Sequence, residues 1–354
     1  MSKLSSKLIS TPQLEDSGSD TAKRFQYQAL YGLALVFEEH KSGNDYAVVF
    51  EFHDDLAVLD SSTVPERVRF FQVKTKASGH WTLTPILKQE KGKGKISPEK
   101  LLPSYMGKMY QNVLNFGDSV EAVSFVSNAQ MNFGSKSSNF CLDSCTPEEV
   151  ARVVNQIKKE HPECKDVKTQ LVRFVCSSLS LEDLDVHSKG KLSEFVSENL
   201  GEMEYSLDAL YRAVVDECQR KSRTKCDPKS IPDLLLNRGV TKTDAEAWLT
   251  RIRQKASAPA WDEISSEVSG SFFEKNSMRK EWARYGIEAL NSNVAIDAVR
   301  LEIQNQLNDK FDGEMTLMEL VSEIFPEVAP KAREHLSPIS DQRIKVMIIY
   351  EACI

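Results

Sequence analysis

The sequence predicts an α/β domain at the N-terminus followed by a mostly α-helical region, and two observations give this fold class. Within residues 20–140, helical and β-type apolar patterns follow one another in the order αβββαβ, which is typical of a sheet with helices packed on its faces. Within residues 141–354, apolar residues recur almost entirely at helical spacing. A chain of 354 residues is long enough for two such domains.

The first predicted helix spans residues 20–39, where apolar side chains recur at helical spacing behind a capping aspartate. The segment 1–19 ahead of it is rich in Ser and Thr and is expected to be a flexible tail. Three predicted strands follow at 46–52, 55–60 and 67–76, and the first and third are rich in Val and Phe, which favour strands.

A second helix, predicted over residues 97–116, and a fourth strand, over 121–128, complete the α/β core. Pro98 stands in the first turn of that helix, where a missing N–H costs nothing. The helical region adds one predicted strand near 169–177. Its apolar ending, 345–354, is either a core segment or an interface, and the region as a whole is expected to serve in oligomerisation or partner binding.

Composition and charge exclude several classes of protein. No apolar run approaches the roughly 18 residues that span a bilayer, and the N-terminus lacks the apolar stretch of a signal peptide. Seven cysteines without an export signal indicate reduced thiols and a cytoplasmic protein. The net charge of −7 argues against nucleic-acid binding over the whole surface, but residues 71–108 carry eight lysines and two glutamates. This basic segment is either a solvated loop or a phosphate-binding surface.

Three polar residues on the second and third predicted strands are candidate catalytic residues. Asp55 opens the second strand, and Gln72 and Lys74, two apart on the third, project from the same face. If these strands pair, Asp55 faces the same pocket. The Asp55 carboxylate and the Gln72 carbonyl oxygen are ligands that Mg²⁺ accepts, and Lys74 can position or deprotonate a water that attacks a phosphodiester.

Three further residues are candidates for the same site. Gln28 on the first helix could hold the water or the lysine, and Glu51 and Asp54 could be additional metal ligands. Taken singly, each signal has an ordinary alternative. A Gln-x-Lys pair is often an exposed strand face, an Asp-Asp pair is often a turn, and a glutamine on a helix often faces solvent.

Five segments, in order, resemble the double-stranded-DNA endonuclease domain of bacterial anti-phage systems, a branch of the restriction-endonuclease-like PD-(D/E)xK superfamily. The resemblance covers about residues 15–135. The segments are SGSDTAKRFQYQALYGL (17–33), FEFHDDLAV (50–58), FFQVKTK (70–76), HWTLTPIL (80–87) and VSFVSNAQ (123–130).

The resemblance implies a restriction-endonuclease-like core, with metal binding and hydrolysis at Asp55, Gln72 and Lys74 and with Gln28 as the helix contributor. It implies Mg²⁺, or Mn²⁺ in its place, as the cofactor. Members of this family act as nuclease effectors of CD-NTase-associated defence operons and as partners of HerA-type ATPases, so we expect such an ATPase or another defence-operon protein as the partner, and a homo-oligomer. Gln72 stands where an acid is commoner in the superfamily, which leaves the number of bound ions open.

The basic segment then has a specific role, since each lysine near a phosphate strengthens DNA binding. The sequence shows no helix-turn-helix, zinc-finger or other base-reading motif, so we expect cutting with little sequence preference. The candidate DNA-binding residues are Lys76, Lys88, Lys91, Lys93 and Lys95.

The leading hypothesis is a metal-dependent endonuclease of double-stranded DNA that is held inactive until an ATPase partner assembles with it. Two alternatives stay open. One is a catalytically inactive nuclease fold retained as a DNA-binding or scaffold subunit, which the neutral Gln72 permits and which the intact Asp55 and Lys74 oppose. The other is a Mrr-like modification-dependent restriction enzyme, which would require a domain that recognises modified bases.

Overall fold

The computed structural model describes residues 17–92, 101–203, 205–290, 294–310 and 315–354. Its α-helices are α1 (Ser17–His40), α2 (Leu83–Leu87), α3 (Tyr105–Phe116), α4 (Pro147–Glu160), α5 (Leu184–Leu200), α6 (Leu207–Arg223), α7 (Ile231–Arg238), α8 (Lys242–Ser257), α9 (Trp261–Ile264), α10 (Phe272–Glu288), α11 (Val294–Lys310), α12 (Leu317–His335) and α13 (Asp341–Ala352). Its strands are β1 (Ala47–Phe52), β2 (Asp54–Leu59), β3 (Val68–Val73), β4 (Glu90–Lys91), β5 (Leu101–Leu102), β6 (Val120–Ser127), β7 (Asn139–Cys141), β8 (Val172–Cys176) and β9 (Gly239–Thr241).

Seven strands form one mixed sheet, in the order β7–β8–β6–β3–β2–β1–β9. β1, β2 and β3 form an antiparallel meander, and β6 and β8 run parallel to β3. β7 and β9 are short antiparallel strands at the two edges. The predicted order of helix, three strands, helix and strand is confirmed by α1, β1 to β3, α3 and β6.

Helices cover both faces of the sheet, because its strands direct apolar side chains toward both. On one face α1 lies against the meander, where the Tyr31 and Phe71 rings meet edge to face at 6.3 Å between centroids. The close approach requires Gly32, since a Cβ atom there would overlap the Phe50 ring. On the other face, α2, α3, α4 and α7 bury apolar side chains in one core with the strands.

Two compact units divide the chain. The first comprises Met1–Ser188 with Cys218–Lys242 and contains the seven-stranded sheet. The second comprises Lys189–Glu217 with Thr243–Ile354, and its described elements are helices. The domain boundary predicted at residue 140 falls inside the first unit, because β7, β8 and β9 all join the sheet.

The second core helix begins later than predicted. The segment 97–98, taken as its start, lies outside the described residues. Leu101–Leu102 form β5, which pairs with β4 in a small separate sheet, so the predicted helix start is wrong. The helix begins at Tyr105, and the side chain of its N-cap, Ser104, accepts a backbone hydrogen bond at 3.0 Å.

The second unit has its own apolar core, formed by α9 to α13. The apolar C-terminal segment lies in α13 and is a core segment, since most of its side chains are buried. Glu351 is buried beside them and accepts hydrogen bonds from the Tyr285 hydroxyl at 2.7 Å and from Arg300 Nε at 2.9 Å. Among the described residues, no helix combines the length and the apolar character that crossing a membrane demands.

Candidate active site

The pairing of β2 with β3 brings the three predicted catalytic residues together. Continued by one residue, the antiparallel register of this pair places Asp55 opposite Gln72. Asp55 Oδ2 accepts a hydrogen bond from Lys74 Nζ at 2.9 Å and one from the Gln72 side-chain amide. It also accepts one from the backbone N–H of Val73, at 2.7 Å. The carboxylate, the amide and the ammonium therefore converge on one point, as the spacing predicted.

Two oxygen atoms of this cluster are left for a further ligand. Gln72 donates through its amide nitrogen, and its carbonyl oxygen accepts no hydrogen bond from the described residues. The same is true of Asp55 Oδ1, since all three bonds reach Oδ2. The Asp55 side chain is 15% exposed and that of Lys74 is 24% exposed, so solvent and substrate can reach both.

Two more carboxylates belong to the turn from β1 into β2, residues 51–54, called here the β1–β2 bend. Glu51 and His53 have left-handed φ values of 51° and 62°, which cost a residue with a Cβ atom about 1–3 kcal/mol each. Burial, and then the nearby charge of Asp55, raise the pKa of Glu51 to about 7. The same two causes raise the pKa of Asp54 to about 7. A cation would relieve this crowding of acidic groups.

The donor set fits Mg²⁺, which prefers hard oxygen ligands and keeps several of its own waters. Within the described part of the chain, no three His, Cys, Asp or Glu side chains form a ready metal cage. A bound ion would therefore be held by Asp55 and by the Gln72 carbonyl oxygen, with water completing the shell. Glu51 and Asp54 are the carboxylates available as further ligands.

An open cleft of about 380 Å³ leads to this cluster, and α3 forms one of its walls. Asn112 of α3 is buried, and its Nδ2 donates to Asp54 Oδ2 at 3.3 Å and to the His53 carbonyl at 3.4 Å. Lys108 of α3 is exposed and lines the cleft. The lining residues are His53, Asp54, Asp55, Gln72, Pro103, Gly107, Lys108, Gln111, Asn112, Asn115 and His161.

The predicted DNA-binding lysines differ in their surroundings. Lys76 Nζ donates to the His80 carbonyl and lies 5.1 Å from the centroid of the Trp81 ring, so its ammonium is engaged within the protein. Trp81 itself is buried and packs in the core. The other four are Lys88 and Lys91, which are exposed, and Lys93 and Lys95, which lie outside the described residues.

Gln28 is not joined to the cluster. It lies on α1, one turn before Gly32, and α1 covers the face of the sheet opposite to α3. Its Oε1 atom is buried without a hydrogen-bond partner in the described structure. No hydrogen bond among the described residues connects Gln28 with Asp55, Gln72 or Lys74. Its role as the helix contributor therefore stays a prediction.

Two residues that the sequence analysis did not single out hold the β1–β2 bend. One is Asn112, and the other is Arg238, whose Nη1 donates to the Glu51 carbonyl. Asn112 carries a detectable signal, since it is a polar residue inside an apolar helical pattern. Arg238 carries none, because 187 positions separate it from Glu51.

Comparisons with known proteins identify the family of this chain. The family model described as "Cap4, dsDNA endonuclease domain" matches residues 16–222, which is more than half of the chain and includes Asp55, Gln72 and Lys74. No curated protein and no solved structure matches the chain. The chain therefore belongs to the Cap4 dsDNA endonuclease domain family, and it is a DNA endonuclease of anti-phage defence.

Proposed function

We propose that this chain is a Mg²⁺-dependent endonuclease that hydrolyses phosphodiester bonds of double-stranded DNA with little sequence preference. The observation that carries the proposal is the convergence of Gln72 and Lys74 on Asp55 Oδ2. A carboxylate, an amide oxygen and an ammonium at one point are groups suited to metal-assisted hydrolysis of a phosphodiester.

Asp55 and the Gln72 carbonyl oxygen would hold the ion, which when bound polarises the phosphate and lowers the pKa of a water molecule. Lys74 Nζ is held by Asp55 and lies 5.6 Å from the centroid of the Tyr105 ring. From this place Nζ donates a hydrogen bond to the attacking water or to a phosphate oxygen. Its charge also stabilises the negative charge that develops on the phosphate during hydrolysis.

DNA contacts are proposed for three exposed lysines of the first unit. Lys108 lies on the α3 wall of the cleft, and Lys88 and Lys91 belong to the basic segment. Their ammonium groups suit phosphate oxygens, and each such contact makes DNA binding weaker at higher salt. Contacts to phosphates carry no base information, which is the reason for proposing little sequence preference.

We also propose that the second unit mediates homo-oligomerisation and docking to an ATPase of the HerA type or another defence-operon protein in the cytoplasm. Support comes from α10, where Phe272 is 76% exposed and Phe273 is 82% exposed. Their rings contact each other at 5.7 Å between centroids. Exposed aromatic side chains are enriched at protein interfaces, and assembly-dependent cutting would spare the DNA of the host.

The test is plasmid cleavage with and without Mg²⁺, comparing wild type with Lys74→Ala. The matched control is Lys168→Ala, which also removes a lysine–aspartate pair of the first unit. Lys168 Nζ lies 2.7 Å from Asp118 Oδ1, and this pair is exposed to solvent. We expect Lys74→Ala to lower the cleavage rate by about 100- to 1000-fold, the range for loss of one group that stabilises transition-state charge. Lys168→Ala should cut like wild type.

Each variant is assayed alone and with the operon's ATPase, and on methylated and unmethylated plasmid. Equal Mg²⁺-dependent cutting by wild type and Lys74→Ala would show that the chemistry lies elsewhere. DNA binding without cutting in every lane would favour the inactive scaffold. Cutting of methylated plasmid alone would favour a modification-dependent enzyme.

A further inference from the structure

The β1–β2 bend is strained, and it leads directly into the candidate catalytic residues. Glu51 and His53 both have left-handed backbone, and Asp54 and Asp55 follow at once. Strained backbone persists only where the surrounding structure holds it, and it is concentrated at functional sites. The groups that hold this bend therefore determine where the two aspartates lie.

One of these groups is the guanidinium of Arg238, the last residue of α7. Its Nη1 atom donates to the Glu51 carbonyl and lies 3.5 Å from the Phe50 carbonyl. Its Nε atom donates to Cys226 Sγ at 3.3 Å, which orients the planar group. A guanidinium is permanently charged and presents its donors in a rigid plane, so it suits two adjacent carbonyl oxygens.

Helix α7, which ends at Arg238, is itself anchored to the sheet. The side chains of Leu234 and Leu235 on α7 are buried in the core on the α3 face. Strand β9 follows Arg238 immediately and pairs with β1, with Val240 opposite Val48. Arg238 therefore reaches the bend from a position between α7 and β9, and β9 is paired with β1, the strand that leads into the bend.

We infer that Arg238 is a positioning residue of the nuclease site: by bonding the Glu51 carbonyl it holds the β1–β2 bend so that Asp55 meets Gln72 and Lys74. This inference rests on the proposed function, since it assigns a role in that reaction. Arg238 lies beyond residues 16–222, so the family match does not cover it. Asn112 bonds the other end of the bend from α3, and the bend is thus held from two elements.

The test uses the full chain, with its ATPase where cutting requires one, and three variants. Arg238→Met keeps length and packing but removes the donors, and Arg238→Lys keeps one charged donor. The control is Arg67→Met, which removes a guanidinium-to-carbonyl bond of 3.1 Å to Asp118, near the opposite end of β3 from Gln72. The measurements are kcat and KM for plasmid cleavage, the melting temperature, and Mn²⁺ binding to the DNA-free chain by electron paramagnetic resonance.

We expect Arg238→Met to lower kcat by about 10- to 100-fold, the scale of loss when reacting groups are misplaced by about 1 Å. KM for DNA should stay unchanged. Mn²⁺ binding should weaken by about 10-fold, as when an outer partner of a metal ligand is lost. Arg238→Lys should recover part of kcat and part of the Mn²⁺ binding. The melting temperature should stay close to that of Arg67→Met. Wild-type kcat in Arg238→Met, or a rise in KM with kcat intact, would overturn the inference.

Two further outcomes separate this inference from the proposed function. If Arg238→Met does not fold, Arg238→Lys decides: a lowered kcat supports the inference and a wild-type kcat overturns it. If wild type does not cut in any lane, the proposed function fails and Mn²⁺ binding decides alone. Weaker binding in Arg238→Met than in Arg67→Met would then support the positioning role, and equal or absent binding would overturn it.

Discussion

Lys221 of α6 offers a direct test of what holds the segment 218–242 of the first unit together. The residue is only 5% exposed, although lysine side chains are almost never fully buried unless they are paired. Its ammonium lies at the C-terminal end of α7, where helix carbonyls have no partner within the helix. It donates to the carbonyls of Leu235 at 3.1 Å, Leu236 at 3.2 Å and Gly239 at 2.6 Å.

Lys221→Met removes these three bonds and keeps the aliphatic packing. A hydrogen bond to a charged group contributes about 1.5–3 kcal/mol, so the gross loss is several kcal/mol. Burying the lysine ammonium costs wild type several kcal/mol in lost solvation. The variant does not bear this cost, which offsets part of the loss. We expect a net destabilisation of about 2–4 kcal/mol, or a melting temperature lower by roughly 4–16 °C for a unit of this size.

Calorimetry measures the shift, and hydrogen exchange with mass spectrometry locates it. Faster exchange should appear first in peptides that cover 231–242 and 47–59, because β9 pairs with β1. Lys168→Met is the control, since its lysine is 40% exposed and pairs with a fully exposed aspartate, and such a surface pair adds little to stability. A shift in Lys221→Met no larger than in this control would refute the reasoning.

Two further substitutions test the two units separately. Asp55→Asn should lower the cleavage rate by at least about 100-fold, because it removes the charge on which Gln72 and Lys74 converge. Wild-type cleavage in this variant would exclude Asp55 from the chemistry. Glu351→Ala should destabilise the second unit by about 3–5 kcal/mol in urea unfolding, because the 0% exposed Glu351 carboxylate pairs with Arg300, which would be left buried without it. A loss below about 1 kcal/mol would contradict the importance of that pair.

The cluster of Asp55, Gln72 and Lys74 could be predicted because its signals are local. Gln72 lies on β3 and Lys74 directly follows the strand, two positions later, while Asp55 is on the preceding strand of the chain, so strand periodicity and a single pairing bring them together. Helix α1 and strands β1 to β3 were predicted for the same reason: each has its own apolar pattern over six residues or more.

The groups that support the cluster could not be predicted, because their signals are weak or distant in the sequence. β9 is three residues long, and it pairs with β1 across the sheet edge, with Ala47 opposite Thr241. Three residues are too few to show strand periodicity. The start of α3 was misplaced because Pro98 suits a helix start in general, whereas Ser104 provides the actual cap.

The position of β9 has a consequence for synthesis on the ribosome. The β1 edge that β9 covers is an apolar strand, and such an edge invites pairing with other chains while it is open. It stays open while about 190 further residues are added, which takes about 10–40 s at typical elongation rates. Until residue 241 has emerged, the nascent nuclease lacks both its edge strand and Arg238. The edge of the sheet and the bond that Arg238 makes to the β1–β2 bend are thus completed only after residues 238–241 have been made.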